Sequence, residues 1–185
     1  MQEKPRGVRV RATSILITRS LAGQCAAIYD EWDRRQKAQA KRGADQPAVK
    51  PYDKPNSYLK REVYRLVRQC IADNSVGKLR AVAAKNEGSP RPSDFNEEDP
   101  FYWGVTAVCG MDGPITRQRR WTMGNELAYA HKHDVPPELL IGFLYQIGKS
   151  DGLRDRLLRN ELEEWCEAKT EKGMKSAPSG KRKAE

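Results

Sequence analysis

Residues Tyr58 to Lys85 read YLKREVYRLVRQCIADNSVGKLRAVAAK. At about 100° per residue, Leu59, Val63, Leu66, Val67, Cys70 and Ile71 share one arc of a helix, and Arg61, Arg65 and Arg68 share the opposite arc. Ser57 is expected to cap this helix, Glu62 stands early where the helix dipole favours a carboxylate, and Asp73, Asn74 and Ser75 form the turn that ends it. A second helix is expected from Val76, burying Val76, Leu79, Val82 and Ala83 and exposing Lys78, Arg80 and Lys85. Two consecutive helices would then share a cationic solvent side. Lys and Arg are good helix formers, so a solvated basic face needs no ligand. Arg dominates the centre of this face, however, and Arg grips phosphate bidentately where Lys cannot.

Working outward, the rest of the charge is one-sided. Residues 1–87 carry 19 Lys and Arg against 9 acids, net +10, and the remainder of the 185 residues carries 15 against 16, net −1, giving +9 in all. A basic half of this kind suits a partner carrying phosphates. Hydrophobic content is 38%, and no apolar run approaches the roughly 18 residues that span a bilayer. The short stretch Ile15, Leu16, Ile17 is far from a signal-peptide core, so a cytoplasmic chain with no membrane role is expected. Cys25, Cys70, Cys109 and Cys166 are scattered without a C-x-x-C pair, which favours buried thiols over a metal site or disulfides.

An all-α chain follows from the periodicity elsewhere. Before the central stretch, Leu21, Cys25, Ile28, Tyr29 and Trp32 recur at helical spacing between Ser20 and about Arg42, while RRQKAQAKRG lacks an apolar side and is expected to project as a basic extension. Residues 1–43 are read as that extension, 44–56 as a proline-rich linker, 57–172 as a compact multi-helix bundle, and 173–185 as a disordered basic tail. Within the bundle, an acidic loop precedes Asp99, which caps FYWGVTAVC behind Pro100, and Gly110 stops that helix. The next helix is expected over Ile115 to His133, packing Trp121, Leu127, Ala128 and Ala130, with Arg117, Arg119 and Arg120 at its positive start. A helix opened by Pro136 or Pro137 would turn Leu139, Leu140, Phe143, Leu144 and Ile147 inward. A last one capped by Ser150 would bury Leu153, Leu157, Leu158, Leu162 and Trp165 while carrying Arg154, Arg156 and Arg159 beside Asp151 and Asp155.

Enzyme signatures are missing. Gly142, Gly148, Lys149 and Ser150 imitate a phosphate loop, but five residues separate the glycines where four are required. His131 and His133 point about 200° apart on a helix and do not chelate together. No catalytic residue, metal ligand or cofactor is nominated, and an enzyme is not expected.

From Tyr58 onward, the order of YRLVRQCIADNSVGKLRAVAAK, DPFYWGVTAVCGM, GNELAYA and PPELLIGFLYQIGKSDGLRDRLLRNEL resembles the small all-helical subunit of Cascade-type CRISPR surveillance complexes, over residues 58–168. That resemblance implies a non-catalytic antiviral-defence subunit, packed with other subunits and with its own copies beside guide RNA and displaced DNA. It also implies that Lys78, Arg80, Lys149, Arg154, Arg156 and Arg159 lie on sugar-phosphate backbone. Combined with the cationic faces, the expected interface is Arg61, Arg65, Arg68, Lys78, Arg80, Lys85, Arg117, Arg119, Arg120, Lys149, Arg154, Arg156 and Arg159, holding single-stranded DNA or RNA without base readout. Two other readings remain: an adaptor for an acidic protein, and a DNA-binding regulator using Ile115 to Ile147 as a helix-turn-helix.

Overall fold

The computed structural model describes residues 20–42, 47–85, 99–110, 113–148, 152–161 and 163. The acidic loop, Lys149, Ser150, Asp151, Leu162, Trp165, Cys166 and the basic tail lie outside the described residues. Those described form seven α-helices and one 3-10 turn, with no strand among them. The helices are α1 (Leu21–Ala40), α2 (Pro55–Ala72), α3 (Val76–Lys85), α4 (Pro100–Cys109), α5 (Arg117–Lys132), α6 (Leu140–Gln146) and α7 (Leu153–Leu158), and the 3-10 turn is Pro51–Asp53.

The most apolar segment, α4, becomes the central rod. Asp99 accepts from the amides of Phe101 and Tyr102 at 2.9 and 3.2 Å, Pro100 sits where no amide is needed, and Gly110 ends the helix at φ +74°. Every residue from Phe101 to Cys109 is buried. A helix with no polar side must be surrounded, and α1, α2, α3 and α5 all pack on it. Gly104 lets α2 come close, because a Cβ there would fall inside the van der Waals envelope of the Val67 side chain.

The apolar arc of α2 is buried through Leu59, Val63, Leu66, Val67 and Cys70, joined by Tyr64, whose hydroxyl donates to the Val135 carbonyl at 2.7 Å. Ser57 is not the cap. The helix begins at Pro55, whose locked φ suits a first helical position, and Ser57 instead donates to the Pro51 carbonyl at 2.6 Å. The linker reading is thereby corrected at its C-terminal end, where the 3-10 turn and the opening of α2 are ordered elements. The first helix is not an appendage either: Cys25 and Trp32 are buried in the common core, and the Trp32 indole donates to Asn56 at 3.4 Å.

Three helices end alike. Asn74, Asp134 and Asn160 take left-handed φ of 49°, 48° and 58° after α2, α5 and α7. The following amides of Ser75, Val135 and Glu161 reach back to the carbonyls of Cys70, Ala130 and Arg156 at 2.8, 3.1 and 3.0 Å. The Asn160 stop limits α7 to six residues, although the apolar periodicity predicts a long last helix. With Gly152 at φ +80° opening it, α7 buries Leu153 and leaves Leu158 exposed. Similarly, α6 starts at Leu140 and not at the prolines, so Leu139 faces solvent while Leu140, Ile141 and Phe143 are buried.

Candidate nucleic-acid interface

The outer face of α2 is not a bare cationic surface. Arg65 pairs with Glu62 at 2.5 Å and Glu138 at 3.3 Å. Arg68 pairs with Asp134 at 2.7 Å and donates to the Val135 carbonyl at 2.7 Å, which ties α2 to the turn before α6. Arg61 bonds Glu62 at 3.2 Å and lies under the rings of Tyr52 and Tyr58. Helical period alone puts these arginines on an outer face, and period says nothing of Asp134 and Glu138, which the segment between α5 and α6 brings across. Their guanidinium groups serve the chain's own contacts first.

The other expected contacts divide. On α3, Lys78 and Lys85 are exposed, while Arg80 is half-buried with its guanidinium 5.7 Å from the Trp103 ring centroid. At the start of α5, Arg117 and Arg119 are exposed and Thr116 caps the helix by accepting from the Arg119 amide at 3.3 Å. Arg120 points inward, only 2% exposed, and donates to the carbonyls of Ile115 at 2.7 Å and Gly110 at 3.1 Å. It therefore holds the end of α4 against the start of α5 and does not reach a ligand. On α7, Arg154 covers the Trp121 ring at 4.7 Å, Arg156 pairs with Glu163 at 2.7 Å, and Arg159 pairs with Glu161 at 3.3 Å, so these contacts do not involve the Asp155 carboxylate, while Asp151 lies outside the described residues. Lys149 lies outside the described residues.

What tertiary structure assembles is a basic end. The second half of α1 runs beside the start of α2, joined by Gln36 and Trp32 to Asn56, and the 3-10 turn packs on α2 and α6. The start of α5 closes the same end, where Trp32, Asp33, Gln36, Asn56, Thr116 and Arg119 line one cleft of about 290 Å³. Residues 30–42, 47–62 and 116–119 together hold 11 Lys and Arg against 5 carboxylates, net +6. All other described residues hold 10 against 8, net +2. Three quarters of the excess therefore falls in these three segments. Of its cations, Arg34 and Arg35 share Glu31, whose carboxyl they hold down at about 2, and Lys37 pairs with Asp33 at 2.6 Å. Lys60 pairs with Glu126 across to α5. Lys41, Arg42, Lys50, Lys54, Arg117 and Arg119 stand exposed around them.

Neither known protein families, curated proteins nor solved structures give a match to this chain.

Four members of this end, Lys41, Arg42, Lys50 and Lys54, are legible in the sequence only as a basic extension and a linker. The available signal is the charge run itself, but no sequence pattern says that α5 is brought beside it. The histidines are structural. His133 sits at the end of α5, its Nδ1 2.8 Å from the Tyr129 carbonyl and its Nε2 accepting from the Glu163 amide at 2.9 Å. His131 packs on Phe101 with ring centroids 5.2 Å apart, and burial first, then Arg68, lowers its pKa below the usual histidine value. Among the described residues no group of three or more His, Cys, Asp or Glu is arranged to hold a metal, and no helix is long and apolar enough to cross a membrane. The helix-turn-helix reading loses its recognition helix, since α6 has seven residues and buries Leu140, Ile141 and Phe143.

Proposed function

We propose that this protein is a non-catalytic nucleic-acid-binding subunit of a larger ribonucleoprotein, holding a sugar-phosphate backbone on the basic end without reading sequence. The observation that carries the reading is the concentration of net +6 on that end against net +2 over all other described residues. Sequence-independent binding rests on charge, and its affinity falls steeply with salt as counterions are released. The Cascade-type resemblance supplies the finer form of the proposal, a small subunit beside guide RNA and displaced DNA. The seat of the contact is moved from the α2 face to Lys41, Lys50, Lys54, Arg117 and Arg119.

Fluorescence anisotropy with a labelled 15-nucleotide oligothymidylate, from 50 to 200 mM NaCl, tests it. Lys41→Glu, Lys54→Glu and Arg119→Glu together are expected to weaken binding and to lower the salt slope by about 1 for each phosphate no longer neutralised. Arg65→Glu with Arg68→Glu is expected to lower stability and leave that slope unchanged, because their partners are Glu62, Glu138 and Asp134. A flat salt response overturns the proposal. Tighter binding of polyglutamate than of the oligonucleotide at equal charge would favour the acidic-protein adaptor instead.

A further inference from the structure

At the basic end, arginines and tyrosines alternate in a stack. The Arg35 guanidinium lies 4.3 Å from the Tyr58 ring centroid, and the Arg61 guanidinium lies 5.9 Å from Tyr58 and 4.5 Å from Tyr52. Glu31 holds Arg35 at 2.7 Å and Glu62 holds Arg61 at 3.2 Å, so the carboxylates take guanidinium edges while the rings take the faces. Arg61 is nearly enclosed: its side chain is 13% exposed, and Nη1 is shut off from solvent with no hydrogen-bond partner. An interior cation in that position is stabilised by the π faces against it. Tyr52 is the outermost member and is 46% exposed.

Its backbone is held as well. Tyr52 is the middle residue of the 3-10 turn, Pro51 sets the first dihedral, the Asp53 amide closes on the Lys50 carbonyl at 3.0 Å, and Ser57 clamps the Pro51 carbonyl. An exposed aromatic ring backed by an enclosed guanidinium, between Lys50 and Lys54, loses little freedom when a second flat group lies on it. The segments around it carry net +6, so the complementary flat group is one attached to a polyanion.

We infer that Tyr52 is a stacking platform for an unpaired base of single-stranded nucleic acid, with the Arg35–Tyr58–Arg61 stack as its support. The inference rests on the basic-end reading and deepens it. Every base offers a π face, so the platform adds affinity without sequence preference and favours a single strand over a duplex, whose bases are already stacked. Arg61, expected from the sequence as a phosphate contact, becomes a positioning residue beneath the ring.

The test compares two 15-nucleotide strands of equal charge, oligothymidylate and a strand of abasic sites, on the full chain and on Tyr52→Ala, Tyr52→Phe and Tyr145→Ala. The last removes a comparably exposed tyrosine from α6. The chain is expected to bind oligothymidylate more tightly than the abasic strand. Tyr52→Ala should lose about tenfold on oligothymidylate, the size of one base–aromatic stack. It should leave abasic binding and the salt slope unchanged, and this doubles as a check that the variant is folded. Tyr52→Phe should retain the affinity, and Tyr145→Ala should behave as the parent. Equal binding of both strands by the parent, with no loss in Tyr52→Ala, overturns the platform and leaves backbone binding standing. Binding of neither strand at 50 mM salt overturns both.

Discussion

Replacing Arg120 by Met separates a fold-holding arginine from a phosphate-holding one. The side chain is 2% exposed, and one guanidinium nitrogen serves the carbonyls of Ile115 at 2.7 Å and Gly110 at 3.1 Å. Methionine keeps most of the buried stem volume and removes the donors. Each hydrogen bond to a charged group contributes about 1.5–3 kcal/mol. Part of that loss is offset because the guanidinium no longer has to be taken out of water. A net destabilisation of about 3 kcal/mol follows, or about 6–12 °C in Tm at the roughly 2–4 °C per kcal/mol expected for a chain of this size. Urea unfolding followed by tryptophan fluorescence should show a lower midpoint with an unchanged slope. The salt dependence of oligonucleotide binding, measured below the midpoint, should not change. Arg120→Lys should fall between the two, since an ammonium retains the charge but not the fork. A loss under about 1 kcal/mol, or a salt slope reduced by about 1 with stability intact, would refute the assignment.

Gly104→Ala places a methyl group in the seam between α2 and α4, against Val67 and 3.2 Å from Val63 Cγ1. Valine on a helix has little rotameric freedom to yield, so overpacking of about 1–3 kcal/mol should outweigh the roughly 1 kcal/mol gained by removing a mid-helix glycine. Adding Val67→Ala should recover part of it in a urea double-mutant cycle, and strict additivity would count against close approach. His131 has its pKa lowered on folding, so the unfolded chain binds more protons just below the usual histidine pKa. Its contribution is fully present above about pH 6.5 and is lost as pH falls toward the folded value. Urea midpoints at pH 7.5 and 5.5 should show the fall, His131→Phe should flatten it, and an equal slope in both chains would sink it.

Much of the fold is legible from residue order. The apolar arc of α2, the Asp99–Pro100 start and Gly110 stop of α4, and the Ser20 cap of α1 are local signals, and each acts within one turn of the residues that carry it. Local signals also explain the departures. Proline at Pro55 outranks Ser57 as a helix start, and Asn160 in the left-handed region ends α7 before its amphipathic pattern runs out. Period points Leu139 and Leu158 inward, but Leu139 falls just before α6 and Leu158 closes the six-residue α7, and both are exposed.

The sequence by itself determined an all-α chain, the burial of α4 and an excess of positive charge, because helical periodicity, capping and composition depend on residues near one another in the chain. Tertiary structure alone decided which cations meet carboxylates far away in the chain. Glu138 and Asp134 lie 73 and 66 residues from the arginines they meet, and Arg119 joins α1 only through the close of the bundle. An electric field sums over distance in space, so a surface charge pattern is set by the assembled helices and not by their order.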